Sequence, residues 1–489
     1  MMSNQTTKSK SLKTNFIFYC AKAIMTVLFP IISFPYASRI LNVEGIGIVQ
    51  YCTSVVSYFT LIAGLGISTY AIREGVKVKN NYHLFSKLVL EIFTINVIST
   101  IFAYILLFAG IFLHFFDGYI PVLLGCSCTT LFTTLSVEWI YQAQEEYVYI
   151  SIRTIVTQLI SLILLFLFVR SETDTVAYSL VLSFSSGGYC LFNLFTARKY
   201  VDFKAHYNLE LKKHIKNILI IFSTNIATSI YLNLDVLMIR FFSNNYQVGL
   251  YSAATKINII LRGLINSVST VLMPRLTFYQ SEKKQDQYFH LLQKGMQFAV
   301  MISISCAVGL SALSKELIML INGKNFISAS TTCQILAFNM VFSVLDNVIY
   351  TQILIPNNRE KDGCNGTIVG AVSNLILNSI FIPLKGIEGA AIASLIAELA
   401  VFLYFLWIMR KTFQFRYLFC ECWKPVAASL GIVLSVFIVK HIIRNYLLQI
   451  FFSIFISVII FFGLLFILNF SLITDEWGNF KNKLSKVSK

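Results

Sequence analysis

The sequence predicts an all-α polytopic membrane protein of about 14 transmembrane helices, and three observations carry that reading. Hydrophobic residues make up 56% of the 489 and charged residues only 13%, about half the charge of a soluble domain. Apolar stretches of bilayer length recur from one end to the other. Basic residues collect in every second connection between those stretches, as the positive-inside bias requires.

Taken in order, the polar start MMSNQTTKSKSLKT, with Lys8, Lys10 and Lys13, leads into a first span over 14–37. That span is too long, and lacks the small-residue cleavage site, for a removable signal peptide. The second span, 46–70, is followed by Arg73, Lys77, Lys79 and Lys87, and the third runs over 84–113. Spans at 119–143, 149–169 and 175–197 complete the first half, with Arg153 placed among the basic connections. The basic stretch 198–216 then leads to spans at 217–242 and 248–273, joined by the polar turn SNNYQ. After a second long polar stretch, 274–291, come spans at 292–313 and 328–355, then Arg359 and Lys361, then 364–383 and 387–409. Arg410, Lys411, Arg416 and Lys424 precede the last pair, 424–441 and 447–470, and a Lys-rich tail ends the chain. This pattern puts both termini in the cytoplasm. The net charge of +16 is then topology, and a nucleic-acid partner is not expected.

No connection is long enough for a soluble domain. The string from Arg39 to Tyr51 (RILNVEGIGIVQY) resembles that from Arg240 to Tyr251 (RFFSNNYQVGLY), six spans later. An even offset gives the two halves one orientation, as in parallel transporter repeats. The expected organisation is an N-lobe over 1–205 (helices 1–6) and a C-lobe over 206–412 (helices 7–12). Residues 413–489 would supply helices 13 and 14 and a cytoplasmic tail. Arg39, Arg240 and Pro274 are candidate gate or turn residues.

A few full charges lie inside the spans. Asp235 and Lys256 each fall about ten residues from the SNNYQ turn, which at about 1.5 Å per residue sets both near mid-membrane. They are expected to face each other or a polar lumen, since buried charges mark transport pathways. Lys22, Glu138, Arg262 and Glu398 complete the candidate set for a substrate cavity or ion coupling. Glu138 shares a helical face with Ser127, Thr130, Thr134, Tyr141 and Glu145, and Asp235 shares one with Thr224, Thr228 and Tyr231. Asn374 and Asn378 lie one turn apart. Helix packing explains such Ser, Thr and Asn stripes equally well. Glu91 and Lys22 sit about two turns from a span end, within snorkelling reach of the interface. A lumen lined by Lys22, Lys256 and Arg262 suits a phosphorylated cargo.

Enzyme signatures are absent: no Walker A sequence, HExxH or GxSxG occurs. The ten Cys include close pairs at Cys126/Cys128 and Cys420/Cys422, a spacing that fits no common zinc pattern, so no metal is expected. No cofactor is expected either. Transport must draw on an H+ or Na+ gradient, on the membrane potential, or on removal of cargo.

Six strings together resemble polysaccharide-unit flippases of the Wzx type, in the multidrug/oligosaccharidyl-lipid/polysaccharide exporter superfamily. They are SRILNVEGIGIVQY (38–51), YFTLIAGLGISTYAIRE (58–74), EWIYQAQEEYVYISIR (138–153), NLDVLMIRFFSNNYQVGLYSAATKI (233–257), VLMPRL (271–276) and NLILNSIFIPLKGIEGAAIASLIAE (374–398). The resemblance implies two lobes around a cavity. It also implies translocation of undecaprenyl-pyrophosphate-linked oligosaccharide for O-antigen or capsule assembly, with glycosyltransferases and a polymerase as neighbours. Related drug/cation antiporters carry an acid in the first span; here that span has none, and Lys22 is its only full charge. The alternative is a small-molecule or other lipid-linked exporter of the same superfamily. A polymerase or ligase needs a large outer loop, which is lacking. A scaffold for glycosyltransferases would tolerate neutralising Asp235 and Lys256 together.

Overall fold

A computed structural model describes residues 12–203, 207–410 and 419–474. The expected boundaries at 205/206 and 412/413 fall outside them, as do Lys8, Lys10, Lys204, His206, Lys411, Arg416 and the Lys-rich tail. Among the described residues the regular structure is all helical, and twelve helices are long and apolar enough to cross a membrane. Two of these rods each merge two spans across a kink, so the crossings number fourteen.

The kinks share a sequence logic. α1 (Leu12–Gly64) breaks at Asn42, with φ 57° and ψ −177°. α14 (Glu360–Met409) breaks at Gly386, with φ 56° and ψ −132°. Glycine enters that region without strain, whereas asparagine there stores about 1–3 kcal/mol that packing must hold. An aliphatic residue, Glu and Gly follow each break, at 43–45 and 387–389. A methyl on Gly389 would overlap the Phe381 carbonyl, so the second kink can form only with glycine there.

The chain divides into two compact units, Met1–Leu237 and Met238–Lys489. In the first, α2 (Ile67–Val78), α3 (Tyr82–Phe112), α4 (Ile120–Ser136), α5 (Glu138–Ala143), α6 (Tyr147–Phe168), α7 (Thr175–Gly187) and α8 (Cys190–Ala197) follow α1. α1 packs on α3, α4 and α6, and α4 on α7. Because lipid is as apolar as a leucine side chain, small residues and hydrogen bonds drive this packing. Thr60 and Thr130 join at 2.7 Å, Thr100 and Thr134 at 2.8 Å, and Ser183 donates to the Gly125 carbonyl at 2.8 Å. The polar stripe of span four therefore serves packing up to Thr134.

α9 (Lys212–Phe242) ends in the second unit, which continues with α10 (Asn245–Ser281), α11 (Gln285–Ala312), α12 (Ser314–Ile321) and α13 (Ser330–Val348). A π-helical turn, Ile349–Leu354, precedes α14; α15 (Trp423–Ile442) and α16 (Tyr446–Ile467) follow. α13 packs on α10, α11 and α14. The α15–α16 hairpin lies on α11 around Met301, Ile432, Val436, Phe461 and Leu465. Asn378 donates to Asn374 at 2.9 Å, both buried, and Asn374 donates to Ser394 at 3.3 Å, which ties the two halves of α14 across the kink. α10 runs without a break through Pro274, which therefore marks no helix end.

Candidate functional site

The candidate charges assemble into two clusters, one in each unit. In the first unit, a break in span four sets the geometry. Val137 adopts a left-handed conformation, φ 39° and ψ 36°, and separates α4 from α5. A β-branched residue is a strained occupant of that region. Trp139, Ile140, Tyr141 and Ala143, all buried, fix the short α5 in place and with it Glu138 at its first position. Acidic residues suit a helix start.

Glu138 is shared between two cations. Lys22 Nζ approaches one carboxylate oxygen at 3.3 Å, and Arg153 Nη2 approaches the other at 3.4 Å. Gln142 Nε2 donates to the Lys22-facing oxygen at 3.3 Å. Lys22 and Glu138 are partly exposed, at 25% and 20%, whereas the Arg153 side chain is 3% exposed. Its guanidinium lies 4.0 Å over the Tyr189 ring and near Tyr149 and Tyr141. None of its three nitrogens makes a hydrogen bond of good geometry. Arg153 was expected in a basic connection; the structure buries it in α6. The signal available was its spacing from Tyr149, one turn before it on the same helix.

In the second unit Arg262 of α10 meets Glu398 of α14 at 3.8 Å and donates to Ser343 at 2.8 Å. Behind Glu398 lies Asp346 of α13, 7% exposed, whose carboxyl sits against Glu398. Neither Asp346 oxygen makes a hydrogen bond of good geometry. Two carboxyls this close, away from water, stay ionised together only with a positive partner beside them. Arg262 supplies one.

Asp235 falls in the first unit, close enough to Tyr58 to act on its hydroxyl electrostatically, while Lys256 falls in the second. Arg39 lies exposed one turn before the Asn42 kink, and Arg240 lies in the last turn of α9. Glu145 leaves the span-four stripe to pair with Lys79 at 2.5 Å.

A third group joins residues that sequence reasoning left separate. His214 bonds Tyr70 Oη at 2.7 Å through Nδ1 and Glu91 at 2.8 Å through Nε2. Glu91 also accepts the Glu210 amide at 2.9 Å, with Lys87 and Lys213 each 3.7 Å away. Glu91 does not snorkel. It fastens the first turn of α9 to α2 and α3.

Fourteen crossings in two units, each holding acidic and basic side chains within its spans, define a multi-pass membrane protein. Residues 12–280 match the family model described as "Polysaccharide biosynthesis protein", more than half of the chain. The chain belongs to that family. A putative O-antigen transporter of Shigella dysenteriae is 24% identical over 399 residues, 78% of this chain and 95% of that protein. The capsular polysaccharide biosynthesis protein CapF of Staphylococcus aureus is 22% identical over 409 residues, 82% of this chain and 99% of that protein. Among solved structures, the lipid II flippase MurJ in an inward closed conformation has the same fold. Its TM-score is 0.73 at 18% identity, covering 91% of this chain and 98% of that one.

Proposed function

We propose that this protein is a flippase for undecaprenyl-pyrophosphate-linked oligosaccharide repeat units. It carries them from the cytoplasmic to the outer leaflet of the bacterial cytoplasmic membrane by alternating access, for O-antigen or capsule assembly. The observation that carries the reading is similarity to an O-antigen transporter over nearly all of that transporter's length. The first-unit cluster supports it chemically. A lysine and a buried arginine share one carboxylate, which leaves cationic capacity for a pyrophosphate. The acid pair of the second unit supports coupling to H+ or Na+, since two carboxyls side by side away from water hold a proton or a cation between them. Glycosyltransferases supply the cargo and a polymerase consumes it.

Purified protein in proteoliposomes should move a fluorescent lipid-linked oligosaccharide between leaflets, and Lys22→Gln should slow this by about tenfold or more at equal protein levels. A wild type that moves no lipid-linked oligosaccharide but exports small cationic solutes would replace this reading with the drug-exporter one.

A further inference from the structure

The Lys22–Glu138–Arg153 cluster is unevenly satisfied. Lys22 is partly exposed and so available to a ligand. Arg153 is buried, and its only charged partner among the described residues is Glu138. The two ion-pair distances, 3.3 and 3.4 Å, are nearly equal. Yet Lys22 holds Glu138 through a hydrogen bond, whereas Arg153 faces it without one. A buried guanidinium short of hydrogen bonds is costly, and a fork–fork pair with a carboxylate would relieve it. Tyr189, Tyr149 and Tyr141 line the guanidinium with aromatic rings and hold it in place.

We propose that Arg153 is the reserve partner of Glu138, and that Glu138 controls whether Lys22 is free to bind an anionic headgroup. This rests on the flippase reading for the identity of the anion, a pyrophosphate, and adds a positioning residue to it. With no anion bound, Glu138 neutralises Lys22. When a pyrophosphate oxygen takes Lys22, the carboxylate turns to Arg153 and completes the bidentate pair that the guanidinium lacks. Two cations share one carboxylate while the site waits, and the bound anion supplies the missing counter-charge. The arrangement makes release easy, because Glu138 stands ready to displace the headgroup from Lys22. The carboxylate competes with the cargo, and the arginine competes with the lysine for the carboxylate.

That double competition predicts opposite signs from two neutral substitutions. The probe is inorganic pyrophosphate, titrated calorimetrically into the full-length protein in detergent. Glu138→Gln removes the competitor and should tighten binding about three- to tenfold; Arg153→Gln confines Glu138 to Lys22 and should weaken it by a similar factor. In the Glu138→Gln background, adding Arg153→Gln should change the affinity by less than about twofold, since Arg153 acts only through the carboxylate. Arg153→Lys keeps the charge but loses the planar fork, so its affinity should fall between those of wild type and Arg153→Gln. If Glu138→Gln alone does not fold because Arg153 loses its counter-charge, the comparison of R153Q with E138Q/R153Q still decides. Neither of those variants buries an unpaired charge, so tighter binding by the double variant supports the proposal and equal or weaker binding overturns it. Weaker binding in Glu138→Gln, or no pyrophosphate binding by the wild type, also overturns it. The two readings fail separately. A successful cycle in protein that flips no lipid-linked oligosaccharide removes the transport reading alone. Normal flipping with a failed cycle removes the reserve-partner role alone.

Discussion

The two units hold the same three-part device with one sign reversed. In the first, a partly exposed cation, Lys22, meets a carboxylate, Glu138, which backs onto a buried cation, Arg153. In the second, a partly exposed cation, Arg262, meets a carboxylate, Glu398, which backs onto a buried acid, Asp346. The outer two members match in type and the cations in exposure, at 25% and 27%, while Glu398 is buried more deeply than Glu138. Only the innermost member differs. A buried cation draws the carboxylate away from the outer cation and frees it for an anion. A buried acid instead crowds a second carboxyl against the first, a pair that is relieved by holding a proton or a metal cation. Under the proposed function, cargo recognition then falls to the first unit and ion coupling to the second, a division that variants of each cluster test.

Removing the innermost acid is the largest test of that division. Asp346→Asn should abolish the acceleration of flipping by an imposed H+ or Na+ gradient. It should leave pyrophosphate affinity within about twofold of wild type, because the affected charges are not those that meet the anion. Glu398→Gln should do the same and also loosen Arg262. Flipping in proteoliposomes with and without a gradient, alongside pyrophosphate titration, measures both. An Asp346→Asn protein that keeps its full gradient response would move coupling away from this unit.

A second contrast lies in stability. Arg153→Met strips the buried partner from Glu138, but it also removes the guanidinium that lacks hydrogen bonds, so its effect depends on Glu138. Glu138→Ala leaves Arg153 buried with no counter-charge. By the general behaviour of broken buried pairs this costs about 3–5 kcal/mol. Glu398→Ala removes a carboxylate from beside Asp346 while Arg262, 27% exposed, keeps Ser343 and solvent, so it should cost about 1 kcal/mol or less. Melting curves in one detergent compare the two. Equal losses would mean that Arg153 is no more dependent on its acid than Arg262 is.

Much of the fold was legible because hydropathy and charge asymmetry act span by span, and hydrocarbon admits little else than closed helices. The kinks at Asn42 and Gly386 appeared in sequence as gaps between paired spans, 37 to 46 and 383 to 387. Lys22 with Glu138, and Arg262 with Glu398, were in the candidate set, yet their pairing crosses 116 and 136 residues and no local pattern encodes it. Arg153 was misread because charge near a span end looks like topology until packing buries it. Asp346 and His214 were missed for a related reason. An isolated acid or imidazole acquires meaning only from what another helix brings to it. Thr130, Thr134, Asn374 and Asn378, by contrast, formed visible stripes, and the structure spends them on helix contacts.

The smallest effect comes from a carboxylate that lies outside the spans and carries no cargo role. Glu421, just before α15, accepts the Ser471 amide at 2.9 Å and pairs with Lys424 at 2.9 Å, tying the start of α15 to the end of α16. Partial burial pushes its carboxyl up. The Ser471 amide and the Lys424 ammonium outweigh burial and hold it below the usual carboxylate range. A carboxyl depressed on folding adds stability above its unfolded pKa of about 4.3 and loses it as pH falls through the folded value. Glu421→Gln should therefore lower the melting temperature modestly at pH 7, by the equivalent of about 1 kcal/mol. The gap to wild type should close as pH drops from about 5 toward 3. A gap unchanged across that range would assign the effect to the lost shape of the hydrogen bond rather than to its charge. Pyrophosphate affinity and gradient response should not move, which makes this variant the control against which the two membrane clusters are judged.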